Sequence, residues 1–133
     1  MSLDVASQLA LSIPRLAEDW LVTGDYLDLP TVALGFLAER VSELDQVPPA
    51  IDWSPLFSRI EQMLTQADTT LREVLITGFL EGLQNVDSNH GRDTQRWEPL
   101  LGAHTRTAWR GLNDFWNLKG TWSAVMSRDI PPR

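Results

Sequence analysis

The 133-residue chain contains no cysteine. Disulfides and thiolate chemistry are therefore excluded, and the composition fits a reducing compartment. Histidine is scarce, with only His90 and His104, in separate segments. Neither stands in a metal-binding spacing such as HExxH. No Gly-Lys-Ser/Thr phosphate loop, no GxGxxG turn and no GxSxG nucleophile elbow occurs. No apolar run approaches the roughly 18 residues that would span a bilayer. Residues 1–20 lack a basic leader, carry Asp4 early and break at Pro14. No secretory signal is expected there, and the expected compartment is the cytoplasm. Fixed-period repeats, low-complexity tracts and sustained period-two alternation are also missing.

What is present describes an ordinary globular chain. Hydrophobic residues make up 43% and charged residues 22%, which is too apolar for disorder and long enough for one core. The net charge is −7, and its placement is uneven. Residues 1–52 hold nine acids (Asp4, Glu18, Asp19, Asp25, Asp28, Glu39, Glu43, Asp45, Asp52) against two bases, Arg15 and Arg40. The remainder balances at nine of each. A phosphate-binding protein needs the opposite sign, so direct nucleic-acid binding is not expected. An acidic face either keeps the protein soluble or speeds encounter with a basic partner.

Apolar spacing predicts a succession of helices. A short one covers about Asp4 to Leu11. Pro14 suits the first position of a second, "PRLAEDWLVT", which turns Leu16 and Trp20 inward and stops at Gly24. "DYLDLP" connects to a third helix from Pro30 or Thr31 to Asp45, with Leu34, Leu37, Val41 and Leu44 as its stripe. Pro48 and Pro49 end it. Pro55 opens a fourth, capped by Ser54 or Asp52, with Leu56, Ile60, Met63, Leu64 and Ala67 inward. A fifth begins with Thr70 and Glu73 as a capping box, or with Asp68 as cap, and runs to about Val86. "DSNHGRD" reads as a polar loop and "RWEPLLG" as a short helix or turn. The last helix, "HTRTAWRGLNDFW", presents Ala108, Trp109, Leu112, Phe115 and Trp116 on one face, with Thr105 as expected cap. The predicted fold is an all-α, single-domain antiparallel bundle of about five to seven helices, since short connections favour antiparallel neighbours. It occupies residues 1–118. Residues 119–133 form a tail, flexible or in contact with a partner.

Candidates for chemistry are few. "DSNHGRDTQRWE" has Asp87, Asn89 and Glu98 near calcium-loop positions, but Arg92 stands where the sixth-position glycine belongs, so a plain polar loop is expected. Glu18–Asp19 and Asp25–Asp28 are paired acids. Acid–base work would need burial to separate their pKa values, and their loop-side position predicts exposure. Of six tryptophans, Trp20, Trp109 and Trp116 fall on apolar stripes and are expected in the core. Trp53 and Trp122 do not, and an exposed tryptophan is a common binding anchor. Tyr26 lies among Asp25 and Asp28 as a second aromatic candidate. No catalytic set, metal ligand or cofactor site emerges, and the chain reads as a non-enzyme.

"REVLITGFLEGLQ" carries Gly78 and Gly82 inside a helix, each costing about 1 kcal/mol relative to alanine. Their spacing lets two helices approach closely. The expected reason is tight packing, against large residues such as Phe36 or Trp109, with a partner groove as the alternative.

"LITGFLEGL" (Leu75 to Leu83), "LLGAHTR" (Leu100 to Arg106) and the Phe115–Trp116 pair carry a family resemblance over about residues 13–117. The chain resembles a family of small, acidic, helical bacterial proteins encoded beside polymorphic toxins and proposed to act as immunity proteins. It departs from that pattern at Ala103, where proline is expected, and in its longer tail after Trp116. The resemblance implies a cytoplasmic protein that binds a cognate secreted toxin domain and occludes its active site or substrate cleft. Such clefts are basic where the substrate is nucleic acid or nucleotide, so carboxylates would imitate phosphate. Glu18, Asp19, Asp25, Tyr26 and Asp28 are the expected contacts, with Trp53 as anchor. No cofactor, metal or membrane enters this expectation. The alternative is a non-catalytic helical adaptor, or a protein that associates with itself.

Overall fold

The computed structural model describes residues 4–23 and 30–117. Among them the chain is helical, without a strand. The α-helices are α1 (Val5–Ala10), α2 (Pro14–Thr23), α3 (Pro30–Leu44), α4 (Ser54–Gln66), α5 (Thr69–Val74), α6 (Glu81–Asn89) and α7 (Ala103–Asn117). A π-helical segment, Leu75–Leu80, joins α5 to α6, and a 3-10 helix, Thr94–Leu100, precedes α7. The all-α, single-domain expectation is met. The expected stop at Gly24, the "DYLDLP" connection and the 119–133 tail lie outside the described residues.

The long helix α5–π–α6 shows how its sequence sets its shape. Its inward pairs Val74/Leu75, Gly78/Phe79, Leu83/Gln84 and Val86/Asp87 follow a spacing close to four, slower than the 3.6 of an α-helix. A straight α-helix would rotate this stripe off the core. The π turn absorbs the excess, and Glu81 accordingly donates its N–H to the Ile76 carbonyl, five residues back. The helix then continues past the expected end at Val86. It closes after Asn89 with Gly91 in the left-handed region at φ 66, Gly91 N–H on Ser88 O at 3.2 Å and Arg92 N–H on Asp87 O at 2.8 Å. That is a Schellman closure. "DSNHGRD" is therefore half helix and half cap rather than a loop.

α3 is the element most extensively packed against this long helix. A Cβ added at Gly78 would lie 2.9 Å from Leu34 Cβ and 3.3 Å from the Thr31 carbonyl. One added at Gly82 would lie 3.5 Å from both Ala38 Cβ and Gly35 Cα. Close packing is thus the role of the glycines, but against Leu34, Ala38 and the α3 backbone rather than Phe36 or Trp109. The contacts advance together along both helices, so α3 and the long helix run parallel. α4, the immediate neighbour in sequence, is antiparallel to the long helix: Arg72 Nη2 donates to Leu64 O at 3.3 Å, and Phe57 meets Phe79 at 6.3 Å.

Of the two caps expected for α5, the structure uses Asp68, which accepts the Leu71 N–H at 2.8 Å. The cap of α7 differs from expectation. α7 begins at Ala103, and its cap comes from another helix. Glu61 on α4 accepts the N–H groups of His104 (3.0 Å) and Thr105 (2.8 Å), the Thr105 hydroxyl (2.8 Å), and meets His104 Nδ1 (2.8 Å). Gly102 makes room, since a Cβ there would lie 2.6 Å from the Glu61 side chain. Partial burial pushes the Glu61 carboxyl up. The donors from Thr105 and His104 together outweigh that and bring it from 4.5 to about 2. A lowered folded-state pKa stabilises above the unfolded value and is lost as pH falls through the folded one. Glu61→Gln is expected to cost about 1–3 kcal/mol at neutral pH. Urea midpoints taken from neutral pH toward pH 2 should show the wild-type advantage shrinking below about pH 4.5. Parallel pH profiles for the two proteins would refute the cap.

Candidate interaction surface

The expected contact residues separate into three groups. Glu18 is exposed on α2. Asp19, beside it, is half-buried and holds Arg40 of α3 through Nε–Oδ2 at 2.7 Å and Nη2–Oδ1 at 3.0 Å. Arg40 also donates to Glu43, and Glu39 adds to the field around it. The Asp19 hydrogen bond comes first among the causes that raise the Arg40 pKa. Partial burial opposes it, and the charges of Asp19, Glu43 and Glu39 reinforce it. Asp25, Tyr26 and Asp28 lie outside the described residues.

Trp53 is a correction. It is 3% exposed and cannot serve as a surface anchor. Its ring meets Trp97 edge-on at 6.2 Å, and its Nε1 donates to Asp45 Oδ1 at 2.9 Å. Its place was legible: position 53 extends the α4 stripe of Leu56, Phe57, Ile60 and Leu64 one turn upstream. Trp20 and Trp109 are buried as expected, whereas the Trp116 side chain and Trp122 lie outside the described residues.

α2 and α3 thus bring three carboxylates, Asp19, Glu39 and Glu43, around one guanidinium, with Glu18 exposed beside Asp19 on α2. Glu39 and Glu43 were not singled out from sequence. They stand four apart on α3, a repulsive spacing on a helix. Arg40 between them relieves part of that repulsion and leaves the surface acidic. Surface pairs of this kind add little to stability. Their long-range field acts instead on the approach of a charged partner.

The other polar cluster is internal. Asp87, wholly buried, accepts from Trp97 Nε1 (2.7 Å), from Arg96 Nη1 (3.0 Å) and Nη2 (3.2 Å), and from the Ser42 hydroxyl. Arg96 also donates from Nε to Asp45 Oδ2 at 2.7 Å, and Arg92 donates to Ser42 Oγ at 2.8 Å. Asp87 is therefore a buried structural acceptor, not a calcium-loop ligand. Among the described residues no group of three or more metal-ligating side chains occurs. His90 Nδ1 lies 3.0 Å from the Val86 carbonyl, and His104 is engaged with Glu61. No helix among the described residues is long and apolar enough to cross a membrane.

A family model described as a domain of unknown function, DUF7674, matches residues 6–117, which spans α1 through α7. No curated protein and no solved structure matches the chain.

Proposed function

We propose, for a chain that belongs to the DUF7674 family, that it acts as an immunity protein. In this reading it is a non-catalytic cytoplasmic inhibitor. It binds the basic cleft of a cognate secreted toxin domain and occludes the active site. It needs no cofactor or metal and touches neither nucleic acid nor membrane. The observation that supports the reading best is the acidic α2–α3 surface, where Glu18, Asp19, Glu39 and Glu43 outnumber Arg40 in the part of the chain that holds the whole charge excess. Carboxylates at fixed spacing present a basic cleft with the charge its substrate would bring. The resemblance in "LITGFLEGL" and "LLGAHTR" supports the partner class.

Co-expression with the toxin domain encoded beside its gene tests the reading. The wild-type chain is expected to restore growth, and the combined Glu18→Lys, Asp25→Lys and Asp28→Lys variant to protect poorly while remaining folded. Absence of protection by the wild-type chain against that toxin would end the proposal. Sedimentation separates the alternative: a stable homodimer formed through the acidic surface would favour a self-associating adaptor.

A further inference from the structure

A cleft of about 350 Å3 opens where the end of α4, α5, the π segment and the start of α7 meet. The volume falls in the range of about 300–1,000 Å3 typical of ligand pockets. Leu64, Ile76, Ala103 and Ala108 form the apolar part of its lining, and Arg72, His104 and Thr107 the polar part. Leu64 is 3% exposed, and Ile76 and Ala108 pack against the core, so the apolar part is a floor continuous with the interior. The space has a simple origin. α7 contributes alanines at 103 and 108, where longer side chains would fill the gap toward Leu64 and Ile76.

Arg72 supplies the charge. Its Nη2 donates to the Leu64 carbonyl at 3.3 Å, which ties the guanidinium to the last turn of α4 beside the cleft. That bond uses one N–H of a group that carries several in a planar fork. Among the described residues Arg72 enters no ion pair. Glu61 accepts from the Thr105 N–H and hydroxyl, and its Oε2 lies 2.8 Å from His104 Nδ1. Its charge is therefore met by α7 and does not occupy Arg72. The Thr107 hydroxyl is likewise spent, on the Ala103 carbonyl at 3.0 Å.

A ligand that fits must use both halves of this lining. The guanidinium repels a cation. A bare anion leaves the floor in contact with water, and a wholly apolar ligand makes nothing of the guanidinium. A dianion such as a phosphate monoester meets the Glu61 carboxylate beside His104. We propose that this cleft binds a carboxylate carried on a short branched apolar chain, with the carboxylate on the Arg72 guanidinium and the chain on Leu64, Ile76, Ala103 and Ala108. A free short-chain acid and the C-terminal leucine of a polypeptide share this chemistry. Among the described residues no part of the lining belongs to α2 or α3. The site is therefore separate from the acidic surface, and it stands whether or not the partner is a toxin.

The methyl resonances of Leu64, Ile76, Ala103 and Ala108 and the Arg72 Nε–H signal give a direct readout in spectra of the full chain. Titration with N-acetyl-leucine and with isocaproate is expected to shift these signals saturably in the millimolar range, and the tighter of the two identifies the source. N-acetyl-leucinamide has the same side chain and no charge. It is expected to bind roughly tenfold more weakly or worse, the loss of one charge-assisted pairing. Arg72→Gln, at an exposed position, should weaken N-acetyl-leucine binding by a similar factor with the backbone spectrum otherwise kept. Arg72→Lys should retain part of it. No saturable shift with either acid, or equal binding of N-acetyl-leucine and its amide, would overturn the assignment. So would equal N-acetyl-leucine binding by wild type and Arg72→Gln, or tighter binding of butyl phosphate than of either acid.

Discussion

Asp87→Ala is expected to remove about 3–5 kcal/mol of folding stability, a large part of the roughly 5–15 kcal/mol typical of a domain. The carboxylate is wholly buried and accepts from Ser42, Arg96 and Trp97. Through Arg96 it is tied to Asp45, which also takes the Trp53 indole N–H. Alanine would leave a guanidinium, an indole N–H and a hydroxyl short of an acceptor in or near the core. It would also loosen the joint between α3, α6, the 3-10 helix and the start of α4. Asp87→Asn keeps one acceptor and should cost less. Chemical denaturation monitored by tryptophan fluorescence measures both. A stability within about 1 kcal/mol of wild type for Asp87→Ala would show that Arg96 and Trp97 find other acceptors.

The second large effect concerns the two glycines of the long helix, which should respond differently to the same substitution. Gly78→Ala places a Cβ 2.9 Å from Leu34 Cβ, an atom fixed to its backbone, and 3.3 Å from the Thr31 carbonyl. The helices must separate, at an overpacking cost of about 1–3 kcal/mol. That exceeds the gain in helix propensity of about 1 kcal/mol. Gly82→Ala meets Ala38 and Gly35 at 3.5 Å, an ordinary contact. It should be neutral, or stabilising by up to about 1 kcal/mol. Gly82→Leu exceeds the space and should destabilise by about 1–3 kcal/mol or more. Gly82 is not one of the acidic-surface residues, so the folded fraction of Gly82→Leu should still bind a partner. Thermal unfolding of the three variants checks the order. Equal effects of alanine at both positions would remove the distinction between a closed and an open contact.

Much of this architecture is legible in the residues. The α3 limits follow from Pro30 and the Pro48–Pro49 pair, and Leu34, Leu37 and Val41 are buried where their spacing puts them. The glycine spacing announces a close helix approach. Its partner is not legible, because small residues on α3 are as compatible with exposure as with contact. The π turn is written in the four-residue rhythm of the long helix, a signal that a search for period 3.6 passes over. Polar residues mislead most. "DSNHGRD" has loop composition, yet Asp87 continues the inward register of Leu83, and tertiary partners in distant segments make its burial possible. The Glu61 cap on α7 joins residues more than forty positions apart, which no local pattern encodes. The acidic surface is legible as a charge imbalance. Its membership is not, because Glu39 and Glu43 join Asp19 only through Arg40.

The central claim is that this acidic surface meets a basic toxin domain. Stopped-flow association of the purified chain with its cognate toxin domain, measured across ionic strength, tests it most directly. The association rate is expected to fall steeply with added salt, and to be roughly tenfold or more slower at low salt for Glu18→Lys with Glu39→Lys, and for Asp25→Lys with Asp28→Lys. Association that is independent of salt and unchanged in both variants would contradict it.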